Sequence, residues 1–220
     1  MRTLTVISAG LGIPSTTRQV ADQIASAASA AVSARGENLQ IQVIELRELV
    51  NDLGQVLTTG MSSPALDEAK EMVSASDGLV VATPVFKASY SGLFKTFFDV
   101  LNQDALNGMP VIIAATAGTA RHSLVLDYAI RPLLTYMRAF VVPTGIFAAT
   151  DDFGSEEGSL LDARVNRAAA ELADQMVASA SVGGLGGVTS AGQATRRRTG
   201  VDPAENLVPF SQLLQGHDGM

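Results

Sequence analysis

The architecture of this 220-residue chain is best indicated by the stretch Thr83-Pro84-Val85-Phe86-Lys87-Ala88-Ser89-Tyr90-Ser91-Gly92-Leu93-Phe94-Lys95. The stretch follows an apolar run, Gly78–Ala82, that has the composition of a buried parallel strand. Because Pro84 lacks an N–H and biases Thr83 toward an extended backbone, we expect the strand to end there. Two serines can then cap a following helix. The pattern predicts a strand, a rigid loop and a capped helix, and open α/β sheets bind their ligands at such loops.

Apolar strand candidates alternate with helical patterns along the rest of the chain. The predicted strands are Thr3–Ser8, Leu39–Leu46, Gly78–Ala82, Pro110–Thr116 and Phe140–Phe147. The predicted helices are Ser15–Ala34, Pro64–Ser76, Ser91–Gln103, Arg121–Arg138 and Ser159–Ala180. This alternation implies parallel β-α-β units with right-handed crossovers. We therefore predict a flavodoxin-like, doubly wound α/β fold, with a five-stranded parallel sheet of order 2-1-3-4-5 and helices on both faces. A six-stranded dinucleotide fold would need a further strand, which the pattern does not provide.

The composition changes near the C-terminus. Residues 1–181 are predicted to form one domain, and residues 182–220 a flexible tail that begins with glycines and serines. The apolar segment Val208–Leu214 near its end has two interpretations. It either docks on the domain or on a neighbouring subunit, or it is part of a disordered terminus. The basic run Arg196–Arg198 is interpreted as solvated.

Composition excludes several classes of function. The chain has no cysteine and two histidines, which excludes disulfides, thiolate nucleophiles and Cys-ligated metals and leaves too few imidazoles for a typical metal site. The net charge of −7 argues against nucleic acid as a partner. No apolar run is long enough to span a membrane, and the N-terminus lacks a signal peptide, so a cytoplasmic location is expected. Because the chain has no cysteine, any redox chemistry must come from a bound cofactor.

The first loop, Ser8–Arg18, joins the first predicted strand to the first helix. A helix N-terminus presents unpaired N–H groups to a phosphate. Ser8 lies at the end of the strand, the hydroxyls of Ser15, Thr16 and Thr17 would add donors, and Arg18 would add a cation. Simple capping of the helix by Ser15 is the alternative. The glycine spacing fits neither a Walker motif nor a dinucleotide fingerprint, so a single phosphate is favoured over a pyrophosphate.

The opening stretch, together with His122–Leu134 and Gly145–Asp152, resembles the NAD(P)H-dependent FMN reductases that supply reduced flavin to alkanesulfonate-type monooxygenases. The resemblance covers roughly the first four-fifths of the chain. It implies FMN and NAD(P)H as cofactors, so that flavin and nicotinamide nucleotides are the ligands. It also implies a homodimer or homotetramer built through the fourth helix, and a flavin-dependent monooxygenase as partner.

The resemblance also implies which loops hold the flavin ring. After Thr83, the residues Pro84, Val85, Phe86 and Lys87 would line the isoalloxazine, with backbone N–H groups favouring the negative charge of the reduced ring. Lys87 either helps to hold that charge or is simply solvated. The residues of a third loop would approach the opposite edge of the ring; they are Thr116, Ala117, Gly118 and His122.

The chain departs from the family pattern at several of these positions. Relatives usually carry a Gly-Ser-x-Arg opening in the first loop and a further arginine where Thr16 stands, so weaker phosphate binding is implied. Phe86 replaces a frequent tyrosine, which keeps stacking and loses a hydroxyl. Ala117 replaces a glycine. His122 is either an acid–base group or a structural residue at a helix start, and the second role is favoured because hydride transfer to flavin N5 needs no protein base.

A proline inside the fourth predicted helix marks a disruption. Pro132 cannot donate to the carbonyl of Tyr128, so we expect a kink or bulge over Tyr128–Pro132. The resembling reductases have a π-bulge around the matching tyrosine, at their subunit interface, and it is associated with exchangeable flavin. Tyr128 is therefore the candidate for tuning flavin release, and an ordinary buried tyrosine beside a proline kink is the alternative.

These observations together predict an NAD(P)H:FMN oxidoreductase that moves hydride from nicotinamide to flavin N5 without a catalytic side chain and supplies reduced FMN to a monooxygenase. A quinone or azo-compound reductase with permanently bound FMN is one alternative, which the weak phosphate loop disfavours. A flavodoxin-type electron carrier is the other. Hydrolysis has little support, since no nucleophile elbow or paired carboxylates occur.

Overall fold

A computed structural model describes residues 1–153 and 158–181. The predicted tail, with its apolar segment Val208–Leu214 and the basic run Arg196–Arg198, lies outside the described residues. No helix in the described part is long and apolar enough to cross a membrane.

A mixed, mostly parallel sheet forms the centre of the fold. Its strands are β1 (Arg2–Ser8), β2 (Leu39–Glu45), β3 (Gly78–Phe86), β4 (Ser89–Tyr90), β5 (Pro110–Ala117), β6 (Phe140–Val141) and β7 (Ile146–Ala149). The order is β2-β1-β3-β5-β6, with β4 paired to β3 and β7 paired to β5. All pairs are parallel except β3–β4. The predicted flavodoxin-like α/β class is confirmed.

The predicted number of five strands is wrong, because the described sheet has seven. One addition is β4, which forms a hairpin with β3. The other arises because the predicted strand Phe140–Phe147 is split into β6 and β7 around Pro143, which has no N–H to donate to a sheet ladder. Just after this proline, Glu171 accepts hydrogen bonds from the backbone N–H (2.8 Å) and the hydroxyl (2.7 Å) of Thr144. These bonds hold the interrupted segment out of the ladder.

Helices cover both faces of the sheet. They are α1 (Thr16–Ser33), α2 (Val50–Thr59), α3 (Pro64–Ser74), α4 (Gly92–Asp99), α5 (Arg131–Tyr136) and α6 (Gly158–Ser181). One core cluster contains Phe94 and Phe97 of α4, and the other contains Ile24 of α1 and Leu172 of α6. Apolar burial on two faces explains why the central strands are almost wholly apolar.

The helix α2 was missed in the sequence. It follows a 3₁₀ turn, Leu46–Leu49, and ends at Gly60, whose left-handed backbone (φ 73°) suits a helix C-terminus. Only Leu53 of this helix is buried. Val50, Leu53, Val56 and Leu57 nevertheless have the spacing of one helical face, so the signal was present in the sequence and was overlooked.

Candidate functional site

The carboxyl ends of β1, β3 and β5 bring the three predicted loops to one edge of the sheet. Ser8 pairs with Ala82, and Pro84 pairs with Thr116. The hydroxyls of Thr17 and Thr116 lie 2.7 Å apart and share a buried hydrogen bond between the first and third loops. The three loops therefore meet at the carboxyl edge of the sheet, between the start of α1 and the β3–β4 hairpin, where open α/β sheets form their ligand crevice.

The first loop turns tightly enough to require a glycine. A Cβ on Gly10 would lie 2.0 Å from Ser15 Oγ, the atom that caps α1 by accepting from Arg18 N at 3.2 Å. Ser15 Oγ accepts in that bond, so its own hydrogen stays available to a ligand. Thr16 is exposed, whereas Thr17 is buried against Thr116. Hence Ser15, Thr16 and the backbone are the donors that the loop offers, while Thr17 contributes to structure.

Two other predicted residues at this edge have mainly structural contacts. Ser8 is fully buried and its hydroxyl accepts from Gly10 N at 3.5 Å. Arg18 donates from Nε to Asp22 at 2.7 Å and from Nη1 to Glu45. The hydrogen bond to Asp22, with Glu45 beside it, raises the pKa of Arg18 above its ordinary value. Its charge is therefore largely balanced by protein carboxylates rather than left for a phosphate.

The segment from Thr83 to Tyr90, which was predicted to hold the flavin ring, forms a hairpin. The prediction that the strand ends at Pro84 is therefore wrong. β3 continues to Phe86 because an extended backbone is compatible with proline, and because the residues beyond it pair with β4 instead of with β5. The two turn residues, Lys87 (φ 50°) and Ala88 (φ 65°), both have left-handed backbones. This is the geometry of a two-residue hairpin turn, which usually needs glycine or asparagine. The turn presents Phe86, which is 45% exposed, and Lys87 to solvent.

Thr83 connects this hairpin to the following helix. Its side chain is fully buried, and Oγ1 accepts from Ser91 N and donates to the Pro84 carbonyl, both at 3.0 Å. Ser91 in turn caps α4 by accepting from Phe94 N at 3.2 Å. Thr83 therefore holds the hairpin in place, and Val85 and Phe86 are the side chains closer to the surface.

The third loop is open to solvent beyond its first residues. Thr116 is buried and Ala117 half-buried, while Gly118 is exposed with free space around its Cα. His122 ends a short 3₁₀ turn, Ala120–His122, and is exposed. It therefore lies at the end of a turn rather than at the start of a helix.

The predicted disruption of the fourth helix is confirmed. A π-helical turn spans Leu126–Ile130 and α5 starts directly after it. The extra residue in the turn moves Pro132 into the first turn of α5, where a missing N–H needs no partner. Tyr128 is 80% exposed, so the alternative of an ordinary buried tyrosine is wrong.

A groove of about 730 Å³ lies between α4 and this π-helical segment. Tyr128, Pro132 and Tyr136 line one wall at a spacing of four residues, and Tyr90 of the hairpin reaches the same groove. Tyr136 is 82% exposed. The spacing of Tyr128, Pro132 and Tyr136 is visible in the sequence, but the sequence does not reveal that the two tyrosines face outward.

Sequence reasoning missed Arg47, which follows β2. Its Nη1 donates to the carbonyl of Gly12 at 3.4 Å, so a cation from a distant segment reaches the first loop. Nothing in the local sequence around Arg47 indicates this contact.

Comparisons with known proteins agree with this geometry. Residues 2–154 match the family model described as NADPH-dependent FMN reductase. The NADH-dependent FMN reductase SfnE of Pseudomonas putida is 36% identical over 165 residues, covering 74% of this chain and 81% of the relative.

Two solved structures are also similar. An oxidoreductase from Corynebacterium diphtheriae has 66% identity and a TM-score of 0.79, covering 81% of this chain and 98% of that one. The apo form of the NADH:FMN oxidoreductase EMOB has 29% identity and a TM-score of 0.67, covering 92% of this chain and 97% of that one.

Proposed function

The chain belongs to the NADPH-dependent FMN reductase family, and we propose that it reduces FMN as an exchangeable substrate and supplies the product to a flavin-dependent monooxygenase. The observation that carries the proposal is the meeting of three loops at the carboxyl edge of the sheet. One of them leads into a single helix N-terminus, which suits one phosphate. Another is an exposed hairpin with an aromatic residue at its tip. The helix N-terminus suits the phosphate of FMN, and the aromatic hairpin suits its flat ring.

The residues of the crevice fit this ligand. At Gly10 there is no space for a Cβ beside Ser15 Oγ, so the backbone of the loop is drawn close to the helix start where a phosphate would lie. Ser15 and Thr16 would donate their hydroxyls to the phosphate, and the hairpin from Pro84 to Lys87 would contact the ring. The remaining proposed contacts are Thr116, Ala117 and Gly118 in the third loop.

Bound FMN supplies the redox chemistry, because its N5 accepts a hydride from the nicotinamide C4. The protein contributes position and electrostatics. The hairpin residues from Pro84 to Lys87 would hold the ring, and a nicotinamide bound against the ring would make the transfer effectively intramolecular. Lys87 at the exposed turn places a cation where it can oppose negative charge on the ring. No general acid or base is required, and His122 is assigned no catalytic role.

Flavin exchange is supported by two features. Arg18 is paired with Asp22 and Glu45, so the phosphate competes with carboxylates for its charge. Tyr128 stands exposed on a π-helical turn next to the groove that includes Tyr90 of the hairpin. We assign Tyr128 the tuning of flavin release, since a movement of the π-helical turn can reach the ring hairpin through this groove.

The same groove supports assembly into a homodimer or homotetramer. Large exposed aromatic side chains in one place are unusual on a monomer surface and mark interaction sites. Tyr128 and Tyr136 are each at least 80% exposed and line one wall of a groove whose lining is both polar and apolar. A second copy of the chain that covers them would also place its own surface next to the hairpin.

The test is NADH and NADPH oxidation by purified, colourless protein while FMN is titrated. Activity that appears only with added FMN and saturates at micromolar concentration supports the proposal. A yellow protein that reduces quinones or azo dyes without added flavin would favour the alternative of permanently bound FMN. Failure to bind FMN at all would refute the site.

A matched pair of variants locates the ring site. Phe86→Ala should raise the KM for FMN about two- to tenfold through lost stacking. Phe140→Ala removes a phenylalanine of nearly equal exposure, 46% against 45%, at the start of β6 and the opposite edge of the sheet. It should leave the KM unchanged. Equal effects of the two substitutions would contradict the assignment of the hairpin.

A further inference from the structure

Arg47 enters the first loop from outside it. The residue lies in the 3₁₀ turn Leu46–Leu49 directly after β2, and its Nη1 donates to the carbonyl of Gly12 at 3.4 Å. The loop segment Leu11–Pro14 is exposed and contains no charged side chain. Arg47 is therefore a cation that reaches the segment Leu11–Pro14 through the fold, although it lies outside the loop in the sequence.

The hydrogen-bond donors of Arg47 are mostly available. A guanidinium has five N–H donors in a planar fork, and the bond to Gly12 uses one of them. Nε lies 3.6 Å from Glu45 Oε2 and Nη2 lies 3.9 Å from Glu48, both beyond hydrogen-bonding distance. The side chain is 26% exposed, so it is partly accessible to a ligand at the first loop.

Glu45 holds the two arginines beside the loop. One carboxylate oxygen accepts from Arg18, whereas the other, Oε2, is buried and has no hydrogen-bond partner among the residues that the structure describes. A buried, unsatisfied carboxylate oxygen attracts the nearest cation, and that cation is Arg47. Arg18 is already committed to Asp22 and Glu45. Arg18 uses two guanidinium donors in hydrogen bonds and Arg47 uses one, so Arg47 has more donors left for a ligand.

We propose that Arg47 binds the 5′-phosphate of FMN and thereby makes the enzyme select FMN over riboflavin, with Glu45 as the residue that positions it. This inference rests on the proposed function of the crevice. A planar guanidinium can bind two phosphate oxygens at once while a backbone carbonyl orients it. The three carboxylates nearby, Asp22, Glu45 and Glu48, keep the site from becoming strongly positive, which suits a ligand that must leave.

The experiment compares FMN and riboflavin binding to the full chain without nicotinamide, by flavin fluorescence titration. The variant Arg47→Met should bind FMN about ten- to thirtyfold more weakly, the worth of a charge-assisted hydrogen bond, and bind riboflavin as the wild type does. The control Arg167→Met removes one exposed arginine from α6 and should change neither affinity. Arg47→Lys should lie between wild type and Arg47→Met, because lysine keeps the charge and loses the fork.

Salt dependence separates direct binding from mere shaping of the loop. FMN affinity of the wild type should fall with added salt, and that of Arg47→Met should fall less. If Arg47→Met does not fold, as judged by thermal melting, Arg47→Lys and the salt series decide.

Failure of the proposed function and failure of the role of Arg47 give different results. Wild-type protein that does not bind FMN refutes the proposed function. Wild-type protein that binds FMN, with unchanged affinity in the Arg47 variants or an effect on the KM for NADPH alone, overturns the role of Arg47 and leaves the proposed function standing.

Discussion

The closeness of Gly10 to Ser15 gives a quantitative prediction about the first loop. A Cβ at position 10 would lie 2.0 Å from Ser15 Oγ, 3.1 Å from Ser15 Cβ and 3.2 Å from Thr17 Cβ. The first distance is far inside van der Waals contact, so Gly10→Ala must drive the Ser15 hydroxyl out of its present rotamer. The other two require shifts of only a few tenths of an ångström.

The expected magnitudes follow from these contacts. Rotating Ser15 away loses the hydrogen bond to Arg18 N, an N-cap worth about 1 kcal/mol. Overpacking against the two Cβ atoms adds about 1 kcal/mol, so Gly10→Ala should destabilise the fold by about 2 kcal/mol. Ser15→Ala alone should cost about 1 kcal/mol. The double variant should cost about 2 kcal/mol rather than 3, because the cap is lost only once.

The assay is urea unfolding of all four proteins at one protein concentration, compared by midpoint with the slope held in common. Thermal melting gives a second reading, with a shift of about 2–4 °C for each kcal/mol in a chain of this size. Full additivity of the two substitutions would refute the reasoning, since it would mean that Gly10 and Ser15 do not meet. A mild effect of Gly10→Ala would do the same.

Three further predictions concern other parts of the molecule. Ala88→Gly should raise the melting temperature by about 1–3 °C, because glycine relieves a left-handed backbone at little steric cost, and a lowered melting temperature would contradict the hairpin geometry. Under the proposed assembly through the groove, Tyr136→Glu should lower the mass measured by light scattering at micromolar concentration to that of a monomer, and an unchanged oligomeric mass would exclude the groove as the interface. Glu171→Gln should lower stability by about 1–2 kcal/mol in urea unfolding, because it weakens two charge-assisted hydrogen bonds to Thr144; wild-type stability would show that these bonds do not fix the β6–β7 connection.

Most of the fold was predictable because its strands are buried on both faces. The predicted bounds of the first and fourth strands, Thr3–Ser8 and Pro110–Thr116, differ by one residue from β1 and β5. Runs of apolar residues between helical patterns leave few alternatives for a parallel sheet. The bulge near Tyr128 was predictable for a different reason, because a proline in a helix has a local and unavoidable effect.

The errors have physical causes of their own. The hairpin after Pro84 was missed because its turn uses Lys87 and Ala88 in left-handed conformations, where sequence patterns expect glycine or asparagine. Strain of this kind tends to collect at functional sites, where surrounding structure compensates for it. Here the anchor is Thr83, which bonds to Ser91 at the base of the hairpin. The strained turn at Lys87 and Ala88 is thus held in place by Thr83, which the sequence analysis predicted to contact the flavin.

The candidate site was only partly predictable, because its key contacts join residues far apart in the chain. Thr17 meets Thr116 across 99 positions, and Arg47 meets Gly12 across 35. The family resemblance implies weaker phosphate binding by the first loop, since Thr16 stands where the resembling reductases usually carry an arginine. The sheet order nevertheless places the end of β2 beside the end of β1, and so any arginine just after β2 can reach the first loop. Under our proposal for Arg47, the sheet order brings a second arginine to the first loop beside Arg18, and no motif confined to the loop could have revealed it.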